Sequence, residues 1–201
     1  MTTPTNHKDF SNGWEAVANE FVSMRSADIG AATVENWSHF LQPEQSVLDV
    51  GCGFGGPYTQ CLIDKGAKLH GIDASRTLIQ EYRKRFPNVS SAACEAAEKS
   101  SFYDRKYDGI LSVGFIFLLS EEDQNRVLQK IARALKDRGK LLFSSPYQTC
   151  EWDDSLTGRK SKSLGRPVYI DILRQHGLSL VDEYTDEGKN HYYGFEKNAS
   201  V

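Results

Sequence analysis

Residues 46–57 read SVLDVGCGFGGP, and this stretch decides the fold of the chain. Its first five residues are mostly apolar and predict a short buried β-strand. The glycines that follow allow the backbone to turn tightly. Pro57 then favours the first turn of a helix, where no amide hydrogen needs a partner. A strand that enters a helix through glycines predicts a ligand-binding loop at the carboxyl end of a parallel sheet.

Strands and helices alternate on the carboxyl side of this loop. Apolar segments predict four more strands, at 68–73, 89–94, 107–113 and 140–144. Such alternation is typical of a parallel sheet with helices on both faces. Two further strands, 178–184 and 191–196, are joined by only six residues, too few for a parallel return. We therefore predict an α/β fold: a doubly wound, mostly parallel sheet of seven strands with the last strand antiparallel.

The bulk properties of the sequence favour one ordinary globular domain. The chain has 201 residues and a formal net charge of −3, and it contains no dense block of lysine and arginine. We therefore expect no nucleic-acid partner. The four cysteines do not have metal-ligand spacing, and no metal site is predicted. The amino terminus is polar, and the longest nearly apolar run, 109–119, is shorter than the about 20 residues that span a bilayer. We expect a cytoplasmic protein without membrane contact.

Two acidic residues beside the glycine loop indicate what it binds. The pattern of Gly51, Gly53 and Gly56 matches a dinucleotide-binding fingerprint, which is a weak signal alone. Asp49 precedes the loop, and its negative charge would repel a pyrophosphate and attract a cation. Asp73 ends the second strand, where a carboxylate can accept hydrogen bonds from ribose hydroxyls. A ribose beside a cation describes S-adenosylmethionine, and an NAD-dependent oxidoreductase is the alternative that Asp49 disfavours.

Several ordered motifs resemble those of class I S-adenosylmethionine-dependent methyltransferases. Residues 47–55 resemble the first motif of that family, and residues 71–75 resemble the second. Residues 107–111 and 135–142 are similar to its fourth- and fifth-strand motifs. The resemblance covers about residues 40–146. It implies a Rossmann-like methyltransferase fold over a single domain, 1–201, with S-adenosyl-L-methionine as cofactor and S-adenosyl-L-homocysteine as product.

The resemblance also implies which residues hold the cofactor. Asp49 and the glycine loop would hold the methionine part, Asp73 the ribose, and Glu95 with Ala96 the adenine. Amphipathic helices within residues 1–42 would form a lid, and Arg25 at the end of the first helix could pair with the cofactor carboxylate or be a solvated helix-end residue. The full predicted set is Arg25, Asp49, Gly51, Cys52, Gly53, Gly55, Asp73, Ala74, Glu95, Ala96, Val113 and Gly114.

The methyl acceptor must contact what remains of the chain. This remainder is rich in aromatic residues and includes a polar stretch, 147–165, that we predict to be a substrate-side loop. Aromatic side chains suit an organic acceptor with a planar or apolar body. The predicted acceptor-binding residues are Trp14, Phe115, Tyr147, Trp152 and Tyr192. His191 is the best candidate for a general base, because imidazole titrates near neutral pH, although a polar residue at the start of an edge strand is the simpler reading.

The sequence leaves the acceptor itself open. We predict methyl transfer to O, N or S of a small organic molecule by a monomer or homodimer. The alternatives are an RNA or protein methyltransferase, which would present a basic groove, and a cofactor-binding protein without catalysis.

Overall fold

The computed structural model describes residues 9–24, 29–89 and 91–199. In chain order its helices and strands are α1 (Trp14–Met24), α2 (Ala31–Trp37), β1 (Ser46–Val50), α3 (Pro57–Asp64), β2 (Lys68–Asp73), α4 (Arg76–Arg85), β3 (Ser91–Cys94), β4 (Tyr107–Ser112), α5 (Glu121–Ala134), β5 (Leu135–Ser144), β6 (Cys150–Asp153), β7 (Lys160–Ser163), α6 (Arg166–Gln175), β8 (Leu178–Thr185) and β9 (His191–Lys197). Short 3₁₀ turns cover Ser38–Phe40, Phe102–Asp104 and Ile116–Leu118.

Seven of the strands form one sheet in the order β3-β2-β1-β4-β5-β9-β8. All neighbouring pairs from β3 to β5 are parallel. The last strand, β9, is antiparallel to both of its neighbours, β5 and β8. The predicted sheet of seven strands with an antiparallel last strand is confirmed. This order reverses between β1 and β4, so the loops that follow these strands border a crevice at the carboxyl edge of the sheet.

Both faces of the sheet are buried, as the uniformly apolar central strands predict. On one face, Leu48 and Val50 pack with residues of α5 and α6. On the other face, Val47 packs with residues of α2 and α3. Val47, Leu48 and Val50 are completely buried. The glycine loop after β1 is therefore held by a strand that is fixed from both sides.

Serine side chains cap the first turns of two of the helices. The Ser75 hydroxyl accepts a hydrogen bond of 3.2 Å from the Leu78 backbone N–H at the start of α4. The Ser120 hydroxyl accepts one of 3.2 Å from the Asp123 N–H at the start of α5. Such caps satisfy amide groups that have no partner inside the helix. The cap at Ser75 fixes the turn between β2 and α4, and Asp73 lies in this turn.

Two segments differ from the sequence-based expectation. The helical spacing of apolar residues predicts a second helix over about 29–41, whereas α2 ends at Trp37 and is followed by the 3₁₀ turn at Ser38–Phe40. The stretch 147–165 is not only a loop, because β6 and β7 pair within it as an antiparallel hairpin. Its exposed polar residues hide the strand alternation, since neither face of this hairpin is strongly apolar. No helix in the described part of the chain combines the length and apolar character that crossing a bilayer requires.

Candidate functional site

The glycine loop turns sharply because two backbone groups hold it against the next strand. The N–H groups of Gly51 and Cys52 both donate to the Ile72 carbonyl, at 2.9 and 3.0 Å. Gly51 and Gly53 have φ angles of 76° and 55°, in the region where a side chain causes strain. A Cβ atom at Gly51 would lie 2.3 Å from Cγ of Phe115, whereas one at Gly53 would meet only Phe21, at 3.8 Å. The loop is therefore packed tightly at Gly51 and borders open space at Gly53.

The Asp73 carboxylate connects the end of β2 to the glycine loop. Its Oδ2 accepts a hydrogen bond of 3.0 Å from the Gly53 N–H, and its Oδ1 accepts one of 2.8 Å from the Ser75 N–H. Burial raises the pKa of Asp73 to about 6, although these two hydrogen bonds act in the opposite direction. A partly dehydrated carboxylate with lone pairs left over is suited to bind a ligand that brings hydroxyl groups.

These residues border a cavity of about 760 Å³, part of which is open to solvent. Eight of the predicted cofactor residues line it: Asp49, Gly51, Cys52, Gly53, Asp73, Ala74, Val113 and Gly114. Asp49 is only 3% exposed, so its carboxylate borders the cavity from the buried end of β1. The remaining walls come from α1 and the segment before it, the glycine loop, the first turns of α3 and α4, and the segment after β4; they include Phe10, Ser11, Asn12, Trp14, Phe21, Phe54, Tyr58, Leu78, Phe115, Leu118 and Leu119.

Helix α1 covers this cavity and is anchored by a carboxylate. Glu15 accepts hydrogen bonds from the Ser75 hydroxyl at 2.5 Å, the Thr77 N–H at 3.1 Å and the Thr77 hydroxyl at 2.8 Å. Phe21 packs edge-on against Phe54 of the glycine loop, with ring centroids 5.4 Å apart. The N-terminal lid stays a prediction, and the structure places Trp14 and Phe21 of α1 in the wall of the cavity.

A basic residue outside the cavity supports the glycine loop. Arg85 at the end of α4 donates to the carbonyls of Phe54, at 3.3 Å, and Gly55, at 2.8 Å. Its guanidinium also lies 4.9 Å from the centre of the Phe54 ring. The sequence places Arg85 in a short basic run that looks like the solvated end of a helix, so only the structure reveals this contact.

A second cavity, of about 840 Å³ with its open part included, adjoins the first. The two cavities share six lining residues: Trp14, Phe21, Tyr58, Val113, Gly114 and Leu118. The second cavity is also lined by Ile29, Phe117, Ser144, Asp154, Asn190 and Tyr192. Its walls therefore combine aromatic rings with a few polar groups, as in binding sites for small organic molecules.

Four predicted cofactor residues are not placed at the cavity. Arg25 lies outside the described residues. Gly55 is absent from the cavity lining and packs instead against Phe86, which would lie 2.4 Å from a Cβ atom at this position. Glu95 and Ala96 also do not line the cavity. They follow β3 next to Asp73, whose carbonyl accepts the Glu95 N–H at 2.9 Å.

The predicted acceptor residues divide into two groups. Trp14 and Phe115 line the first cavity, and Trp14 and Tyr192 line the second. Tyr147 is 48% exposed and lines neither. Trp152 also lies outside, but its ring packs 5.2 Å from that of Phe117, which lines the second cavity.

The structure does not support His191 as the general base. Successive side chains of a strand point to opposite faces of the sheet, and Tyr192 is the one that lines the cavity. His191 packs on the other face, 4.5 Å from the ring of Tyr193. Its Nε2 lies 3.1 Å from Oε1 of Glu183, which also pairs with Arg166. His191 is thus a polar residue at the start of β9, although this strand lies between β5 and β8 rather than at the edge of the sheet.

Sequence reasoning missed Tyr58 and Asn190. It placed Phe117, after the fourth strand, on the acceptor side, and it set Asp154 aside because exposed loop acids usually hold neither an amine nor a metal. Asn190 belongs to the turn between β8 and β9, and Asp154 follows the hairpin strand β6. Neither position carries a local pattern that signals a binding site. Within the described ranges, no group of three or more His, Cys, Asp or Glu side chains could hold a metal ion.

Comparison with known proteins finds similarity to methyltransferases. Residues 47–139 match a family model described as methyltransferase domain. The chain is 29% identical over 150 residues to phosphoethanolamine N-methyltransferase of Plasmodium falciparum (isolate 3D7), covering 73% of this chain and 52% of that protein. It is 26% identical over 182 residues to sarcosine/dimethylglycine N-methyltransferase of Halorhodospira halochloris, covering 83% of this chain and 64% of that protein. The chain thus spans about half to two thirds of the length of these relatives.

The fold is shared with solved methyltransferase structures. The 1,6-didemethyltoxoflavin-N1-methyltransferase of Burkholderia thailandensis superposes with a TM-score of 0.74 at 14% identity, over 99% of this chain and 92% of that one. The sequence motifs, the strand order and these matches agree with one another. The chain therefore carries a methyltransferase domain with the motifs and fold of the class I S-adenosylmethionine-dependent methyltransferases, and these findings support S-adenosylmethionine as its cofactor.

Proposed function

We propose that this chain transfers the methyl group of S-adenosylmethionine to O, N or S of a small organic molecule. The observation that carries this proposal is the contact between the two cavities. The cavity at the glycine loop meets the second cavity along shared residues, among them Val113 and Gly114. A donor in the first cavity and an acceptor in the second would therefore meet without an intervening wall.

The residues of the first cavity fit the cofactor. Gly53 has no side chain and borders open space, so a ligand can approach its backbone closely. A Cβ atom at this position would occupy part of that space. Asp49 supplies a negative charge for the cationic methionine part, and Asp73 supplies hydrogen-bond acceptors for the ribose. Trp14 adds a buried indole N–H without a hydrogen-bond partner among the described residues, at the wall common to both cavities.

The sulfur end of the cofactor is proposed to lie at Val113 and Gly114, where the two cavities meet. Gly114 has a φ angle of 70°, and its N–H donates to the Ser144 hydroxyl at 2.7 Å. This bond ties the segment after β4 to the end of β5 and fixes the junction. Glu95 and Ala96 are proposed to approach the adenine from beyond Asp73, because both follow β3 at the same edge of the sheet.

The chain itself has little chemistry to perform. S-adenosylmethionine supplies a methyl group bound to a positively charged sulfur. An aligned nucleophile attacks the methyl carbon directly, and the sulfur is the leaving group. The protein aligns the two reactants, and alignment of this kind is worth about 7–11 kcal/mol when the geometry is close to attack. Helix α1 covers the donor cavity with Trp14 and Phe21 and so keeps water from the junction.

The relatives support a small acceptor. Their names describe N-methyltransferases of phosphoethanolamine and of sarcosine and dimethylglycine. The second cavity of this chain is likewise bordered by residues from several elements rather than by one open surface. Both observations favour a small molecule over RNA or protein as the acceptor.

Formation of S-adenosylhomocysteine tests the proposal. The purified chain is incubated with S-adenosylmethionine and with panels of amines, phenols and thiols, and the product is quantified by mass spectrometry. We expect product that depends on one acceptor class and that falls in Asp73→Ala at S-adenosylmethionine concentrations that do not saturate this variant. Cofactor binding without product for any panel, or product only with RNA or protein, would contradict the proposed function.

A further inference from the structure

The second cavity contains an acidic group whose role the methyl-donor site does not explain. Asp154 follows β6 and is partly buried at the cavity wall. Its Oδ1 accepts three hydrogen bonds from the next turn: from the Leu156 N–H at 3.1 Å, the Thr157 N–H at 2.8 Å and the Thr157 hydroxyl at 2.9 Å. Its Oδ2 has no hydrogen-bond partner among the described residues. The turn therefore fixes the carboxylate and leaves one oxygen available.

A second oxygen acceptor is oriented in the same cavity. Asn190 donates its Nδ2 hydrogens to Oδ1 and Oδ2 of Asp186, at 3.1 and 2.9 Å. Asp186 also accepts the Tyr192 hydroxyl at 2.8 Å. The side-chain amide nitrogen of Asn190 is used in this network. Its side-chain carbonyl oxygen, Oδ1, can therefore accept a hydrogen bond from a ligand. Asn190 and Tyr192 both line the cavity.

Aromatic rings form much of the remaining wall. Trp14, Phe21, Tyr58, Phe117 and Tyr192 all line the second cavity. The face of an aromatic ring attracts a cation, with a gain of about 0.5–2 kcal/mol that rises as water is removed. An acid with a free oxygen, an amide carbonyl and aromatic faces form a set that matches a positively charged group carrying N–H donors.

We infer that the methyl acceptor is an amine, which Asp154 and Asn190 hold by its N–H groups within this aromatic cavity. This inference rests on the proposed function and specifies its substrate class. It selects nitrogen among the three nucleophiles that the sequence leaves open. It also assigns Asp154 and Asn190 as substrate-binding residues.

The transfer step balances with one proton released. The bound ammonium loses a proton to Oδ2 of Asp154, from which the proton passes to solvent, and the nitrogen regains its lone pair. That pair forms the new N–C bond to the methyl group while the C–S bond breaks, and its electrons stay on the sulfur, which becomes neutral. The products are the methylated ammonium and S-adenosylhomocysteine.

Two series of probes with matched skeletons test the inference. One is 2-phenylethylamine, 2-phenylethanol and phenylacetate; the other is propylamine, propan-1-ol and propanoate. Dissociation constants are measured by calorimetry on the whole chain saturated with S-adenosylhomocysteine. We expect at least one amine to bind at least tenfold more tightly than the alcohol and the carboxylate of its series. Equal binding within both series, preference for the carboxylates, or no binding of any probe would overturn the inference.

Asp154→Asn locates the interaction. The amide keeps an oxygen for the three turn hydrogen bonds and replaces the free oxygen with an NH₂ donor, so the fold should persist. We expect amine affinity to fall at least tenfold, with alcohol affinity unchanged within twofold. Asp153→Asn is the matched control, because Asp153 is the neighbouring acid, pairs with Lys160 and lies outside the cavity; it should leave amine binding unchanged. Equal effects of the two variants would count against Asp154.

Binding of S-adenosylhomocysteine separates this inference from the proposed function. Calorimetry without acceptor tests the first cavity alone. Failure to bind S-adenosylhomocysteine would contradict the proposed function, whereas cofactor binding with no preference for amines would contradict only the amine inference. The preference for amines over alcohols and carboxylates is measured on the unmodified chain. A folding defect in Asp154→Asn would therefore leave this part of the test valid.

Discussion

The Asp73 carboxylate accepts a hydrogen bond of 3.0 Å from the backbone N–H of Gly53, across 20 residues of sequence. Its other oxygen accepts the N–H of Ser75, the residue that caps α4. One side chain thus links the glycine loop, the end of β2 and the start of α4. Because each carboxylate oxygen can accept more than one hydrogen bond, Asp73 can hold this geometry and still receive the hydroxyls of a ribose.

Removal of this carboxylate should weaken cofactor binding. We expect Asp73→Ala to lower the affinity for S-adenosylhomocysteine by about 1–3 kcal/mol, or roughly 5- to 150-fold, because hydrogen bonds to a charged acceptor are lost. Calorimetry measures the change. Asp171→Ala removes an exposed acid on α6 and is the control. Unchanged affinity in Asp73→Ala would exclude Asp73 from the cofactor site.

Cofactor binding should depend on the ionisation of Asp73. Burial raises the pKa of this residue to about 6, and only the ionised form offers all of its oxygen lone pairs to the ribose. As the pH falls through 6, protons compete with the ligand, so affinity should be constant above pH 7 and about tenfold weaker at pH 5. Calorimetry from pH 5 to 8 tests this, and Asp73→Asn should give a flat profile. An equally steep profile in Asp73→Asn would assign the titration to another group.

The donor site could be predicted because its signals are local. The strand, the glycines and Asp49 are contiguous, and Asp73 ends the neighbouring strand, so the parallel order alone brings them to one edge of the sheet. Strand boundaries at 46–50 and 68–73 follow from the same contrast between apolar and polar residues. The prediction that the loop binds a cationic nucleoside follows from the negative charges of Asp49 and Asp73.

The acceptor cavity could not be predicted because it assembles residues distant in sequence. Trp14 comes from α1, Asp154 from the end of β6 and Asn190 from the turn before β9. The prediction of both His191 and Tyr192 as site residues shows a second limit. Adjacent strand residues face opposite sides, so sequence alone does not decide which of the two reaches the cavity when both faces are buried. The structure places Tyr192 there.

A methyl group at Gly53 should block the cofactor with little cost to the fold. Gly53 and Gly177 both have positive φ angles. A Cβ atom at Gly53 would lie 3.8 Å from Phe21, and one at Gly177 would lie 3.9 Å from Nζ of Lys197. Alanine at either position should cost about 1–2 kcal/mol of stability from backbone strain. Only Gly53→Ala should also abolish S-adenosylhomocysteine binding, because only Gly53 lines the cavity. Thermal melts with and without ligand measure both effects, and loss of binding in Gly177→Ala would refute the assignment.

Loss of the Glu15 carboxylate should loosen the helix that covers the donor cavity. Desolvation raises the pKa of Glu15, but hydrogen bonds from Ser75 and Thr77 outweigh it, and the pKa is lowered overall. We expect Glu15→Ala to weaken S-adenosylhomocysteine binding several-fold and to speed proteolysis within residues 9–24. Glu20→Ala, on the same helix but not in the cavity lining, is the matched control. Equal protease sensitivity of the two variants would show that Glu15 does not anchor the helix.

Arg85 should act on cofactor affinity without contacting the cofactor. Its guanidinium holds the carbonyls of Phe54 and Gly55 and is not in the cavity lining. We expect Arg85→Met to weaken S-adenosylhomocysteine binding by about 1 kcal/mol, roughly fivefold, because the loop loses two hydrogen bonds that fix its backbone. Lys84→Met removes the neighbouring charge, whose side chain is 77% exposed and whose ion-pair partner among the described residues is Glu81. The long-range electrostatic loss is therefore matched between the two variants. A larger effect of Arg85→Met identifies loop support as the cause. If both variants weaken binding equally, net charge rather than the contact with the loop accounts for the loss.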